Sequence, residues 1–214
     1  RVPFVVRNPY SAKKGVVNNA MISHIDITPS ILDFAGAYDS EKKSVNDGLI
    51  NFDEATKRAP NENRGSKIKN FHGRSWIPIL EKDNPKGWDS IGASHTFHEI
   101  QMYYPMRVIR DRNYKLIWNI AYPLPFPFAS DLWIAPTWQA QFKQGLSAKY
   151  GKKTVQNYIQ REEFEFFDIK KDPNEANNLS KDPKSKGLLE VYKQKLKAMQ
   201  RKTNDPWIVK WSYE

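Results

Sequence analysis

Apolar positions along this chain come in short bursts, and their spacing changes from one burst to the next. "VPFVV" at 2–6 has the length and density of a buried strand, and 21–27 reads as a second one. In "DITPSILDFAG" the spacing turns helical. Thr28 suits an N-cap, Pro29 the first helical position and Gly36 the stop, with Ile31, Leu32 and Ala35 on the inner face. Alternation dominates residues 88–120. "MRVIRDRNYKLIWNI" predicts two antiparallel strands about a turn at Asp111-Arg112-Asn113, with Tyr114, Leu116 and Trp118 alternating. "YPLPFPF" (122–128) holds too many prolines for an inner strand and predicts a rigid extended segment. "REEFEFFDI" (161–169) alternates again and predicts a strand.

Two Asp-Pro steps follow. Asp172, Pro173 and Glu175 have the spacing of a capping box and predict a short helix; Asp182-Pro183 repeats the device. Beyond it Leu188, Tyr192, Leu196 and Met199 form one apolar stripe of an amphipathic helix whose lysines lie outward. Residues 39–69 are polar, charged and without period, a long surface excursion. The expected organisation is an α/β portion at 1–38, the excursion at 39–69, and an α+β portion at 70–214, where a small antiparallel sheet is covered by the C-terminal helix.

Composition narrows the function. The 214 residues are 39% apolar, enough for a sizeable core. No apolar run approaches the roughly 18 residues that span a bilayer. The chain opens at Arg1 without a methionine and reads as the middle of a longer polypeptide. With no cysteine, disulfides, thiolate nucleophiles and Cys-type zinc sites are excluded within it. The net charge of +10 attracts polyanions, but the lysines are scattered. Neither zinc-finger spacing nor an RNA-binding aromatic signature is present, which argues against nucleic acid as partner.

Candidate chemistry concentrates in "HTFHEIQMYYPMR" (95–107), where two of the four histidines stand near Glu99 and Arg107. His95-x-x-His98-Glu99 is not the helical His-Glu-x-x-His zinc signature, and on a strand its two histidines face opposite sides. His98 and Glu99 also point apart on a strand unless a bulge re-aims one of them. His24 and His72 sit at helix entries, where packing or capping is the ordinary role. Tyr122, Phe126, Phe128, Trp133 and Trp138 could stack on sugar rings or form core and cleft wall, with Asp131 among them.

Five segments in order resemble the C-terminal part of a sulfatase: "RVPFVVRNP", "SHIDITPSILDFAG", "HGRSWIPIL", "RDRNYKLIWN" and "FEFFDIKKDPNEANNLS". Residues 94–138, with the His-Glu pair, "YPMR", "PFPF" and "APTW", together with "TNDPW" (203–207), resemble the sulfamidase-like members, which act on the N-sulfate of glucosamine. The resemblance implies the edge of an alkaline-phosphatase-like domain, activity on sulfated glycosaminoglycan, a homodimer, and a place outside the cytosol (periplasmic, secreted or lysosomal). It also implies calcium and a formylglycine made from Cys or Ser in a Cys/Ser-x-Pro/Ala-x-Arg motif. No Ser here has that context, and paired aspartates are absent. The Asp-Asn pair that closes the family's calcium site would precede Arg1. Nucleophile and cation are therefore expected upstream, with no catalytic or metal-binding residue in this segment, which alone is expected to be inactive. Its implied share is the substrate-pocket wall: His98, Glu99, Arg107 and His95. Glu99 would accept from sugar hydroxyls or the glucosamine nitrogen. Arg107 would hold an anionic group or lock Glu99 bidentately; alternatively the two form a buried pair bracing the sheet. A second reading stays open, a non-catalytic polyanion-binding module whose affinity falls steeply with salt.

Overall fold

A computed structural model of the protein describes residues 2–36, 71–98 and 102–213. The predicted excursion at 39–69 lies outside the described residues, and so does Glu99. The chain divides into two compact units, Arg1–Asp89 with Lys202–Asp205, and Ser90–Arg201 with Pro206–Glu214.

In the first unit the two expected strands are absent among the described residues. A strand must pair its backbone groups with a neighbour. The described residues offer 2–6 no such neighbour, and Val2 and Val5 stand 74% and 91% exposed. The 21–27 stretch instead enters a 3-10 turn at His24–Asp26 that leads into α1 (Ile27–Phe34). Asp26, not Thr28, therefore takes the N-cap position. The predicted stop, Gly36, follows the C-cap with φ +69°. Ile31 was expected inside and is exposed; the buried residues of α1 are Pro29 and Ser30.

Polar ties explain that orientation. The buried Asp26 carboxylate accepts from Ser23 N–H (2.8 Å) and Arg74 N–H (2.9 Å). Ser30 Oγ donates to Asp26 O (2.6 Å) and accepts from Trp76 N–H (3.0 Å). Gly73 lies so close to this turn that a Cβ would stand 2.1 Å from Ile25 O, so only glycine fits. The Asp-x-x-Pro-Ser and Gly-x-Ser motifs are thus two halves of one hydrogen-bonded joint.

The second unit is built on an antiparallel sheet, β1 (Ser90–Phe97), β2 (Tyr103–Asp111), β3 (Tyr114–Asn119) and β6 (Phe164–Asp168), in the order β1-β2-β3-β6. A small pair, β4 (Lys149–Tyr150) and β5 (Lys153–Thr154), stands apart from it. The β2–β3 hairpin and β6 fall where the alternation predicts them. Cross-strand partners Ile109–Leu116, Leu116–Phe166 and Arg107–Trp118 share one face. On that face α5 (Lys186–Lys202) lays Leu189, Tyr192 and Leu196, all buried. The stripe differs from expectation by one residue: Leu188 is 36% exposed and Leu189 takes its place. Lysines flank the stripe over aromatic rings, Lys193 4.0 Å from the Phe164 centroid and Lys197 4.4 Å from that of Trp211.

The helix expected at Asp172 does not form. Glu175 adopts φ +52°, which no right-handed helix accepts, and its carboxylate pairs with Lys115 Nζ at 2.6 Å. Asp172 Oδ2 instead accepts from Asn177 N–H at 2.8 Å. Asp182 does cap as predicted, accepting from Lys184 N–H at 3.0 Å ahead of α5. Between the strands α2 (Ser130–Ile134), α3 (Pro136–Phe142) and α4 (Val155–Ile159) gather an aromatic cluster. Trp138 is fully buried there, with Phe128, Phe142, Tyr150 and Tyr158 around it.

Candidate functional site

Of the residues singled out in 95–107, His95 and Arg107 lie on the β1–β2 pair and His98 just beyond it. The register shifts between His95–Met106 and Phe97–Tyr103, where β2 advances three residues against two of β1, a bulge on the β2 side. A bulge leaves backbone groups without ladder partners. Here Arg107 Nη1 donates to His95 O (3.0 Å) and to Met106 O (3.0 Å). Arg107 is 4% exposed and, opposite Ser94 and Trp118 in the register, sits on the face that carries α5. His95 is opposite Met106 and therefore sits on the other face. Its Nδ1–H donates to Tyr104 O at 3.0 Å, which fixes the tautomer. His98 lies just past the end of β1, exposed, with its backbone N–H donating to Met102 O at 3.3 Å. The structure thus joins His95 to Arg107 through a backbone carbonyl and puts their side chains on opposite faces.

The face away from α5 carries a polar cluster that sequence reasoning missed. Asn119, opposite Met106, is fully buried; its Nδ2 donates to Glu162 O (2.7 Å) and Glu165 Oε2 (3.1 Å). Glu165 is buried opposite Ile117 and has two cations near it, Arg161 Nη1 at 3.5 Å and Lys153 Nζ at 3.8 Å. Tyr104 is fully buried on the same face, and its hydroxyl has no partner among the described residues. Burial pushes that hydroxyl up to about 12; the nearby Arg161 charge opposes the rise and Glu165 adds to it. The signal in the sequence was a glutamate at an inward position of "FEFF" with an arginine four residues earlier.

Of the five aromatics considered for sugar stacking, Trp138 is buried and Phe126 packs edge-on against Tyr104, with ring centroids 5.1 Å apart. Trp133 is 44% exposed, the most open of the set, and Asp131 beside it is exposed. His24 and His72 are exposed. Neither implied cofactor fits the residues present. Among the described residues no three His, Asp or Glu side chains come together to hold a cation, and the chain has no cysteine and no serine in the modification motif. No chemical step through calcium or formylglycine is therefore assigned to these residues. No helix among the described residues is long and apolar enough to cross a membrane.

No protein-family model matches the chain. It is 31% identical over 210 residues to N-sulphoglucosamine sulphohydrolase of Homo sapiens, which covers 96% of this chain and 38% of that protein. It is 24% identical over 200 residues to the ulvan-active sulfatase of Formosa agariphila, covering 89% and 31%. It is 23% identical over 217 residues to N-acetylglucosamine-6-O-sulfatase of Bacteroides thetaiotaomicron, covering 96% and 26%. A solved structure, of a protein in complex with its substrate D-glucosamine-2-N,6-O-disulfate, superposes with a TM-score of 0.54 at 19% identity, covering 93% of this chain and 28% of that one. The fold is shared with that protein. The chain spans less than two fifths of the length of each of these three curated relatives. The resemblance to a C-terminal sulfatase portion, with a sulfamidase among the relatives, thus holds along nearly the whole chain.

Proposed function

We propose that this chain is the C-terminal part of a sulfatase that hydrolyses sulfate from glycosaminoglycan sugars, and that its substrate is the N-sulfate of glucosamine, as in heparan-type chains. The observation that carries this reading is the 31% identity to N-sulphoglucosamine sulphohydrolase along 96% of the chain. In this reading the alkaline-phosphatase-like core, the formylglycine and the calcium belong to polypeptide upstream, and the enzyme works outside the cytosol as a homodimer. This segment supplies pocket wall through His98, Glu99, Arg107 and His95. The bulge in the β1–β2 pair, on the β2 side, supports the assignment, because bulges re-aim side chains beside active sites. Arg107, buried and bonded to two carbonyls, is then a positioning residue for the bulge, while the exposed His98 is free to reach a sugar.

The test is sulfate release by the full-length protein from N-sulfated glucosamine and from glucosamine 6-O-sulfate. Faster release from the N-sulfated sugar is expected. Release from neither, with salt-dependent binding to heparin, would replace this reading by the polyanion-binding module. Glu99→Ala is expected to lower turnover on the N-sulfated sugar by at least about tenfold, roughly 1.4 kcal/mol of barrier, while the melting temperature moves little. Parallel losses in both would assign Glu99 to bracing the sheet.

A further inference from the structure

A second cluster of charge lies on the sheet face away from α5. Arg161, just before β6, and Lys153, on β5, share one buried carboxylate, Glu165, at 3.5 Å and 3.8 Å. Both separations are long for charge-assisted hydrogen bonds, which run about 2.7–2.9 Å. Glu165 Oε2 already accepts from Asn119 at 3.1 Å. The Arg161 guanidinium lies over the Phe126 ring, 3.9 Å from its centroid, and its Nε is buried without a partner among the described residues. Among the described residues the nearest carboxylate oxygen to this side chain, only 18% exposed, is thus Glu165 Oε2 at 3.5 Å, longer than a charge-assisted hydrogen bond.

Arg161, Lys153 and Lys181 open onto one cleft of about 240 Å³, together with Asn157, Asn178 and Ser180. Two carboxylates also line it, the buried Glu165 and Glu162, which is 53% exposed and pairs with Lys181 at 2.7 Å. Three cations against two carboxylates leave one positive charge in excess. That excess sits where the arginine has unfilled donors and an aromatic ring holds its plane. A guanidinium so fixed presents a fork that matches an oxyanion bidentately. The volume is smaller than the roughly 300–1,000 Å³ of pockets that take drug-sized ligands, and suits one charged group with part of the ring that bears it.

We propose that this cleft binds an oxyanion of an acidic sugar chain, a sulfate or a carboxylate, through the Arg161 fork and Lys153, with Lys181 at the mouth. The choice of a sugar polyanion rests on the sulfatase reading above; the anion site rests on the geometry.

The experiment is calorimetric titration of the full-length protein with an N-sulfated heparin tetrasaccharide. Lys153→Gln with Lys181→Gln is compared with Lys170→Gln and Lys186→Gln, two exposed lysines away from the cleft. The cleft pair is expected to weaken binding about tenfold or more and the control pair less than about threefold. Arg161→Lys, which keeps the charge and loses the fork, is expected to weaken it several-fold and guards against misfolding of the double variant. A tetrasaccharide stripped of N-sulfate separates the anions: retained binding assigns carboxylate, lost binding assigns sulfate. Equal losses in the two lysine pairs would reduce the effect to diffuse charge and overturn the proposal, as would no binding by the unaltered protein. Sulfate release measured alongside keeps the two ideas separate. Release without cleft-dependent binding sinks the anion site alone, and cleft-dependent binding without release sinks the sulfatase reading alone.

Discussion

Replacing Tyr104 by phenylalanine removes one oxygen from the interior of the sheet and leaves the ring that packs on Phe126 in place. The hydroxyl is buried with no partner among the described residues, and such a group costs about 1–3 kcal/mol. Tyr104→Phe is therefore expected to stabilise the protein by about 1 kcal/mol at pH 8. The effect should grow with pH. The phenol titrates near 10 in the unfolded chain and near 12 when folded. A raised folded value means that its contribution is complete below pH 10 and is lost as the pH climbs toward 12. At pH 11 the unfolded tyrosine is about ten-elevenths ionised and the folded one about one-eleventh, a tenfold ratio worth about 1.4 kcal/mol against the folded state. Phenylalanine has no such loss. Urea unfolding of both proteins at pH 8 and pH 11 should show the variant ahead by about 1 and then about 2.4 kcal/mol. A lead that stays constant, or a variant less stable at pH 8, would mean that the hydroxyl has a partner when folded and would refute the reasoning.

Two further substitutions probe how α5 is held. A Cβ on Gly92 would stand 1.7 Å from Met199 Sδ and 3.0 Å from Cγ, so Gly92→Ala is expected to cost about 1–3 kcal/mol; Met199→Ala in the same chain should recover most of that cost in a double-mutant cycle of unfolding energies, and additive losses would refute the contact. Asp111 bonds the hairpin N–H groups of Asn113 and Tyr114 at 2.9 Å each, and Tyr192 O–H and Lys195 on α5 also reach it. Burial opposes its ionisation, but these donors outweigh burial and hold its carboxyl below the ordinary value. Its contribution is therefore present above about pH 4 and lost below; Asp111→Ala should cost about 2 kcal/mol at pH 7, a deficit that shrinks as acid is added, and a deficit unchanged at pH 3 would contradict the assignment.

Alternation located β2, β3 and β6 because each strand finds its partner within the same short stretch of sequence or shortly after it. The register pairs Ile109 with Leu116 and Leu116 with Phe166, so local pattern and tertiary burial agree. The same reasoning failed at 2–6. An apolar run becomes a strand only beside another strand, and Val5 stands 91% exposed. At Asp172 the capping-box spacing was real but served a turn, because Glu175 takes φ +52° and spends its carboxylate on Lys115. The candidate site was legible as a region and not as a geometry. His95 and Arg107 lie on paired strands, yet which face each side chain takes depends on a strand register and a bulge opposite His95–Phe97 that residue spacing does not encode. Glu165 was hidden for the opposite reason: its strand was correctly read, but a charged residue inside "FEFF" passes for the outward half of an ordinary alternation until the sheet is seen to be covered there.

That difference between the faces decides which residues can report on function. Where α5 packs, truncation removes apolar area, and Leu196→Ala, fully buried, falls in the range of about 2–5 kcal/mol whatever the protein does. On the other face, removing Arg161 altogether strips a buried carboxylate of one of two cations, a loss in the range of about 3–5 kcal/mol for buried pairs. Arg107 is as deeply committed, since without it the carbonyl of His95 at the bulge loses its donor. Loss of activity in any of these would be ambiguous. His98, exposed and among the described residues tied through its backbone N–H alone, and Lys181, 76% exposed, escape that ambiguity. Surface pairs contribute about 0–1 kcal/mol, so a large effect of His98→Ala on turnover, or of Lys181→Gln on oligosaccharide affinity, would have to come from contact with the sugar.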